Sequence, residues 1–239
     1  MKDHPQRLDE QQAQQPAPCP ACQAPLNASQ TIAELTQQVT ELNQLVHTDP
    51  LTGLNNYRHF IRALEQELER THRTAQPTSM IMLDLDFFKK VNDNWGHEVG
   101  NQALIQTAQL LRNTTRKLDV PCRYGGEEFA LVLPTTDLLT GARVAERIRA
   151  RIAETPLIFA DAQGQTQQIT LNASLGIDVF TRRDTDTPEG FVARVDALLY
   201  QAKNNGRNQV VHGIRSDMMP AATVSSDEKD ALFGLFGED

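Results

Sequence analysis

The stretch Cys122–Pro134, CRYGGEEFALVLP, sets two adjacent glycines against two adjacent carboxylates, Glu127 and Glu128, and then runs into an apolar strand. Glycines free the backbone for a tight turn, so the stretch reads as two strands around a glycine hairpin. Two acids at one hairpin tip need something to counter their charge. A second acidic cluster lies upstream, where the apolar strand Ser79–Asp86, SMIMLDLD, ends in Asp84 and Asp86. Alternate positions of a strand point the same way. If the two strands are neighbours, Asp84 and Glu127 meet, and carboxylates that close repel unless a cation lies between them. Hard oxygen ligands open to water suit Mg²⁺ or Mn²⁺, which also recruit phosphate oxygens. Lys89 and Lys90, Arg123, Lys203 and Arg207 stand at strand and helix ends. Taken singly each is a solvated surface charge; jointly they suit phosphate.

Around these clusters the periodicity alternates between helix and strand. The turn-rich passage HTDPLTGLNN precedes a helix over Tyr57–Arg73, with Phe60, Ile61, Leu64 and Leu68 on one face. Further helices are expected over Glu98–Lys117, Leu138–Glu154 and Pro188–Asn205. LIFADAQGQTQQITLNASLGIDVF reads as a strand pair with a loop near Gly164, and NQVVHG as a last short strand that closes the sheet. The fold class is therefore α/β (α+β), a central mixed sheet with helices on both faces.

The 239 residues allow one sizeable domain plus appendages, at roughly 150 residues per domain. Residues 1–30 are rich in Gln, Pro and Ala and read as a flexible arm. Within it, Cys19 and Cys22 have half-zinc-site spacing without a second pair, which leaves solvated thiols or a zinc shared across a dimer. Over 31–47, Ile32, Leu35, Val39, Leu42 and Val46 form a narrow apolar seam of coiled-coil spacing. The seam packs on a second copy or on its own domain. Residues 48–214 form the domain proper, and 215–239 an acidic tail whose DALFGLFGED is either a docking motif or disordered. A net charge of −8 excludes a basic field for nucleic-acid polymers or anionic membranes. No run of about 18 apolar residues or secretory leader is present, and the odd cysteine count fits a reducing compartment, so a cytoplasmic protein without a membrane span is expected.

DPLTGLNN, LDLDFFKKVNDNWGHEVGN, RKLDVPCRYGGEEF, NASLGI and LLYQAKNNGRNQVV occur in the order and spacing of the GGDEF-domain diguanylate cyclases, here as a GGEEF variant, over about residues 48–213. The resemblance implies a nucleotidyl-cyclase-like fold, and an enzyme that condenses two GTP into cyclic di-GMP with release of two pyrophosphates. It implies that Asp84, the Leu85 carbonyl and Glu127 hold two Mg²⁺ (or Mn²⁺) ions per active site, with Glu128 assisting deprotonation. Phe87, Phe88 and Lys89 match a phosphate-gripping turn, Lys203 and Arg207 a second phosphate clamp, and Asn92 a guanine-reading residue. Gly125 and Gly126 match the turn that lets substrate approach, and Arg116 with Asp119 the RxxD site at which cyclic di-GMP inhibits.

One position departs from that pattern. Where the family motif ends in an aspartate that accepts from guanine, GHEVGN offers Asn101, whose amide also complements adenine. A missing hydrogen bond costs on the order of 1–3 kcal/mol, so a promiscuous GTP/ATP cyclase is an alternative. A catalytically silent cyclic di-GMP receptor and an adaptor acting through stalk and tail are others. Since each family site holds one GTP, the resemblance implies a homodimer through the stalk. The layout resembles short, stalk-only cyclases of the SiaD type, which suggests a regulatory protein on the stalk.

Overall fold

Thr78–Leu85 runs through the middle of the sheet with all eight residues buried. A strand covered on both faces has no use for polar alternation, which is why it reads as one apolar run. The computed structural model describes residues 32–38, 47–161 and 163–213. They fall into two units, Met1–Thr48 and Asp49–Asp239. In the first, residues 32–38 are helical (α1). Ile32 and Leu35 there are 64% and 54% exposed. The rest of the seam, the Cys19/Cys22 pair and the acidic tail lie outside the described residues.

The second unit runs α2 (Tyr57–Thr74), β1 (Thr78–Leu85), α3 (Phe88–Thr114), β2 (Val120–Gly125), β3 (Glu128–Leu133), α4 (Leu138–Glu154), β4 (Leu157–Ala160), β5 (Thr166–Ile169), β6 (Ala173–Phe180), α5 (Pro188–Asn204) and β7 (Val210–His212). The main sheet has the order β2-β3-β1-β6-β7. Its pairs are antiparallel except β6 with β7, which run parallel. The period of two along β1 sends Met80 and Met82 to one face, where Phe60, Leu64 and Leu68 of α2 and Phe191, Val195 and Leu199 of α5 cover them. Ile81, Leu83 and Leu85 go to the other, under Ala103, Leu104 and Leu111 of α3 and Val144, Ala145 and Ile148 of α4. Side-chain oxygens cap three helices: Asn56 on α2, Asp137 on α4 and Thr187 on α5, the last with Pro188 in the first turn.

Two expectations change. Helical structure starts at Phe88 rather than Glu98, because Gly96, at φ 83° and ψ 164°, interrupts the helix and hides its first turns from a periodicity reading. The span from Leu157 to Phe180 holds three strands, not a pair. β4 and β5 form a separate two-stranded sheet turned at Gly164, and only β6 joins the main one.

The helix α5 lies so close on β6 that a Cβ on Gly176 would sit 2.3 Å from Leu199 N and 2.5 Å from Val195 O. Backbone cannot yield there as a side chain would, and overpacking of this kind costs about 1–3 kcal/mol. Gly176→Ala is therefore expected to lower the unfolding free energy by that much, read as a lower urea midpoint with an unchanged m-value; an unaltered midpoint would contradict the close approach.

Candidate active site

β1 and β3 pair with Asp84 directly opposite Glu128. Cross-strand partners project from the same face, so Glu128 is the partner of Asp84 across the ladder, while the Glu127 charge reaches it from the turn. Glu127 lies in the turn that joins β2 to β3. Its carbonyl accepts from Leu85 N at 3.4 Å, which ties the turn to the end of β1. Against these acids α5 sends one cation, Lys203, whose Nζ is 2.8 Å from Asp84 Oδ2. Burial pushes the Asp84 carboxyl up; Lys203 opposes this, and the nearby Glu127 and Asp86 charges add to it, leaving it above its ordinary range. Glu128 is also held high, by burial first and then by Asp84, against the pull of Lys203. One ammonium does not balance this cluster. Hard carboxylate oxygens on Asp84 and Glu127, beside the backbone of Leu85, fit Mg²⁺ or Mn²⁺. Among the described residues no three acidic, His or Cys side chains are already gathered as a metal cage. Such a donor set suits a cation that keeps waters and shares phosphate oxygens.

The turn is held from beneath. Arg123 reaches Gly126 O with Nε at 3.0 Å and Nη2 at 2.8 Å, and its Nη1 is 3.1 Å from Asp49 Oδ2. Although burial pushes Asp49 up, hydrogen bonds from Thr52 and the Arg123 charge bring its carboxyl below the ordinary range. Arg123 is thus a clamp between DPLTGLNN and the glycine turn, not one of the cations left for phosphate. Of the two glycines, Gly126 has φ +49° and needs to be glycine for its backbone; Gly125 has no positive φ. A Cβ on either would meet nothing within 4 Å, so the space above the turn is open.

Phe87 follows β1 in a left-handed conformation, φ 57° and ψ 27°, and leads into α3. Phe88 is buried under the sheet, whereas Phe87 is 54% exposed. Lys89 points to solvent and pairs with Asp93 at 3.0 Å, an exposed contact worth about 0.3–0.5 kcal/mol and easily released. Arg207 sits in the exposed loop between α5 and β7. Asp86 does not join the acid cluster as a free carboxylate: Oδ1 accepts from Ser174 Oγ at 2.7 Å and Oδ2 from Asn208 N at 2.9 Å.

Asn92 and Asn101 lie on either side of the Gly96 kink and are both half-buried. Asn92 lies so close to Gly100 that a Cβ there would be 1.9 Å from Oδ1. The bare backbone at Gly100 is what seats Asn92 beside the residue preceding Asn101. Arg116 and Asp119 stand apart, at the far end of β2 from the glycine turn, a strand length of about 17 Å. They close a turn on each other, Arg116 N to Asp119 Oδ2 at 2.7 Å and Asp119 N to Arg116 O at 3.0 Å. Burial raises the Asp119 carboxyl, with Arg116 and then Arg147 opposing it. The reading of the sequence missed Arg147, which α4 brings here and which donates to Thr114 O at 3.0 Å. Its position in an amphipathic helix carries no local signal of this neighbour.

The family model described as "Diguanylate cyclase, GGDEF domain" matches residues 46–209. The chain belongs to the GGDEF-domain family. It is 41% identical over 168 residues to the response regulator PleD of Caulobacter vibrioides, covering 70% of this chain and 36% of PleD. The GGDEF chain thus spans about a third of that relative's length. Among solved structures it is similar to the diguanylate cyclase SiaD of Pseudomonas aeruginosa, crystallised with its activator SiaC, at a TM-score of 0.66 and 35% identity over 78% of this chain and 70% of that one. The coiled coil and GGDEF domain of DgcB from Caulobacter crescentus, in complex with c-di-GMP, shares the fold at a TM-score of 0.72 and 24% identity, over 78% of this chain and 95% of that one. No described helix is long and apolar enough to cross a membrane.

The raised Glu128 carboxyl has a consequence for stability. As pH rises from its ordinary value of 4.5, the unfolded chain releases this proton first, so folding loses stability until the folded group ionises too. Glu128→Gln imitates the protonated form. The variant should match the parent at about pH 4 and become the more stable of the two towards about pH 7, read by chemical denaturation at each pH. A constant difference across that range would show that Glu128 is not held high.

Proposed function

We propose that the chain is a diguanylate cyclase, condensing two GTP into cyclic di-GMP with release of two pyrophosphates. The observation that carries this reading is the convergence of Asp84, Glu127 and Glu128 on the end of β1, with Lys203 paired to Asp84. Membership of the GGDEF family supports it. Asp84, the Leu85 carbonyl and Glu127 would hold Mg²⁺ or Mn²⁺, two per site. When bound, the ions neutralise the triphosphate and lower the pKa of the attacking ribose 3′-hydroxyl.

Asp84, Glu127 and Glu128 are the proposed catalytic residues. Glu128 would assist deprotonation of the 3′-hydroxyl, and a carboxyl held high is a better base near neutrality than an ordinary one. The 3′-oxygen bonds to the α-phosphorus of the second GTP, the bond from that phosphorus to the bridging oxygen breaks, and pyrophosphate leaves; a second round closes the ring. Lys203 would exchange Asp84 for phosphate, with Arg207, Lys89 and the amides around Phe87 and Phe88 gripping the same chain of phosphates. Gly125 and Gly126 leave room for it. Asn92 and Asn101 read the base.

Because each site takes one GTP, two domains must face each other. Linking them through a stalk raises their effective concentration. Exposed Ile32 and Leu35 on α1 supply an apolar edge for that contact. The SiaD–SiaC complex is a related case of an activator on a similar cyclase, and supports a regulatory protein acting at the stalk here. At the other end of β2, Arg116 and Asp119 form the inhibitory site for cyclic di-GMP. Arg is suited both to phosphate and to a guanine edge.

Asn101 favours a second reading, relaxed base choice. Purified chain with Mg²⁺ and GTP, ATP or an equal mixture, analysed by mass spectrometry, is expected to yield cyclic di-GMP from GTP, abolished by Glu127→Ala. Asn101→Asp is expected to raise the preference for GTP over ATP by about tenfold or more, the worth of one base hydrogen bond. Absence of any cyclic dinucleotide, with cyclic di-GMP still bound, would replace the enzyme by a receptor. Arg116→Ala should leave initial rates unchanged and abolish the slowing of progress curves by added cyclic di-GMP; undiminished slowing would remove the inhibitory role.

A further inference from the structure

Arg207 occupies an unusual piece of backbone. Gly206, Arg207 and Asn208 have φ of 111°, 64° and 44°, three left-handed residues in succession, of which glycine and asparagine tolerate that region and Arg207 does not. Such a loop keeps one shape only if its surroundings impose it. Asp86 Oδ2 takes the Asn208 amide at 2.9 Å while Ser174 Oγ holds Oδ1 at 2.7 Å. Arg149 Nη1 donates to Asn208 Oδ1 at 2.8 Å, and Arg207 N donates to Ala202 O at 3.0 Å.

The side chain of Arg207 is fixed differently. Its guanidinium lies over the Phe87 ring, 4.6 Å from the centroid, and Lys90 Nζ also lies 4.6 Å from that centroid. Phe87 is itself left-handed and more than half exposed, so its ring serves no core. Among the described residues Arg207 forms no ion pair with a carboxylate. The difference matters chemically. A carboxylate partner would occupy the N–H donors at the guanidinium edge, whereas an aromatic face restrains the plane and leaves the edge donors open to an anion.

We propose that Asp86 and Phe87 are positioning residues for Arg207, the carboxylate imposing the left-handed loop and the ring orienting the guanidinium towards the nucleotide's β- and γ-phosphates. This rests on the reading of Arg207 as a phosphate ligand. It separates Asp84, in β1, from Asp86, just past its end: Asp84 acts on the reacting groups, and Asp86 acts through the backbone of Asn208.

The test is calorimetric binding to the full chain of the uncondensable analogue guanosine 5′-[α,β-methylene]triphosphate, beside GMP, which lacks the outer phosphates. Phe87→Leu should weaken the triphosphate by about 3- to 10-fold, leave GMP unchanged, and be rescued by Phe87→Tyr, which restores the ring. In an Arg207→Ala background most of that loss should vanish, since the ring no longer has its guanidinium to orient. Asp86→Ala should give the same selective loss, whereas Asp86→Asn can still accept from Asn208 N and donate to Ser174 Oγ, and should bind nearly as the parent at every Mg²⁺ concentration. Equal weakening of GMP, a loss that persists undiminished without Arg207, or an Asp86→Asn defect that scales with Mg²⁺ would each overturn the proposal. If Arg207→Ala itself leaves triphosphate affinity intact, the phosphate reading of Arg207 fails first, and this proposal with it.

Discussion

The register of β1 between β3 and β6 is the constraint on which the site depends. Asp84 faces Glu128 on one side and Ser174 on the other. A slip of one residue in a strand buried on both faces would exchange the methionines for the isoleucine and leucines and turn Asp84 into the opposite core. The register is held because the two faces are unlike. Met80 and Met82 fill the space under α2 and α5, and Ile81, Leu83 and Leu85 that under α3 and α4. Hydrophobic packing along the strand therefore decides where its terminal carboxylates stand.

Placing acids at that end is costly to the ligand-free chain, and the surrounding contacts show how the charge is carried. Lys203 pairs with Asp84 and offsets Glu128 only in part. Arg123 binds Asp49 and the carbonyl of Gly126, where it fixes the backbone of the turn. Glu128 is left with burial and like charge, and is held high. The cluster is relieved by added positive charge, which is what a bound divalent cation would bring. Burial here works against the folded domain and in favour of its complex.

Most of the fold was legible because its elements follow simple periods. β1 holds the apolar run Met80, Ile81, Met82 and Leu83 and β6 has apolar residues at alternate positions, and the boundaries of α2, α4 and α5 lie within a residue of those expected. The first turns of α3 were not, since Gly96 breaks the period between Phe88 and Glu98. Nor was the split of β4 and β5 from the main sheet, because pairing partners leave no trace in a four-residue strand. At the candidate site the acid and base types could be read from motifs, but their commitments could not. Arg123 and Arg207 look alike in sequence. Only tertiary contacts show one bound to a carboxylate and a carbonyl and the other resting on a ring. Asp84 and Asp86 likewise differ by what β6 and the loop after α5 place beside them.

The residues proposed to read the base and those proposed to bind the phosphates rest on different supports. Asn92 and Asn101 are set by α3, its kink at Gly96 and the bare backbone of Gly100. The acids and their cations are set by β1, β3, α5 and the loop that follows it. Phe87 and Phe88 are where the two supports join: the first ring lies against Arg207 and Lys90, and the second is buried in the core beneath α3. A substitution at Asn101 therefore changes the hydrogen bonds offered to a base without touching the partners of Asp84 or Glu128. On the proposed reading, base choice can drift in such a scaffold while the acids stay in register, because among the described residues no contact of the acid cluster passes through the Asn101 amide.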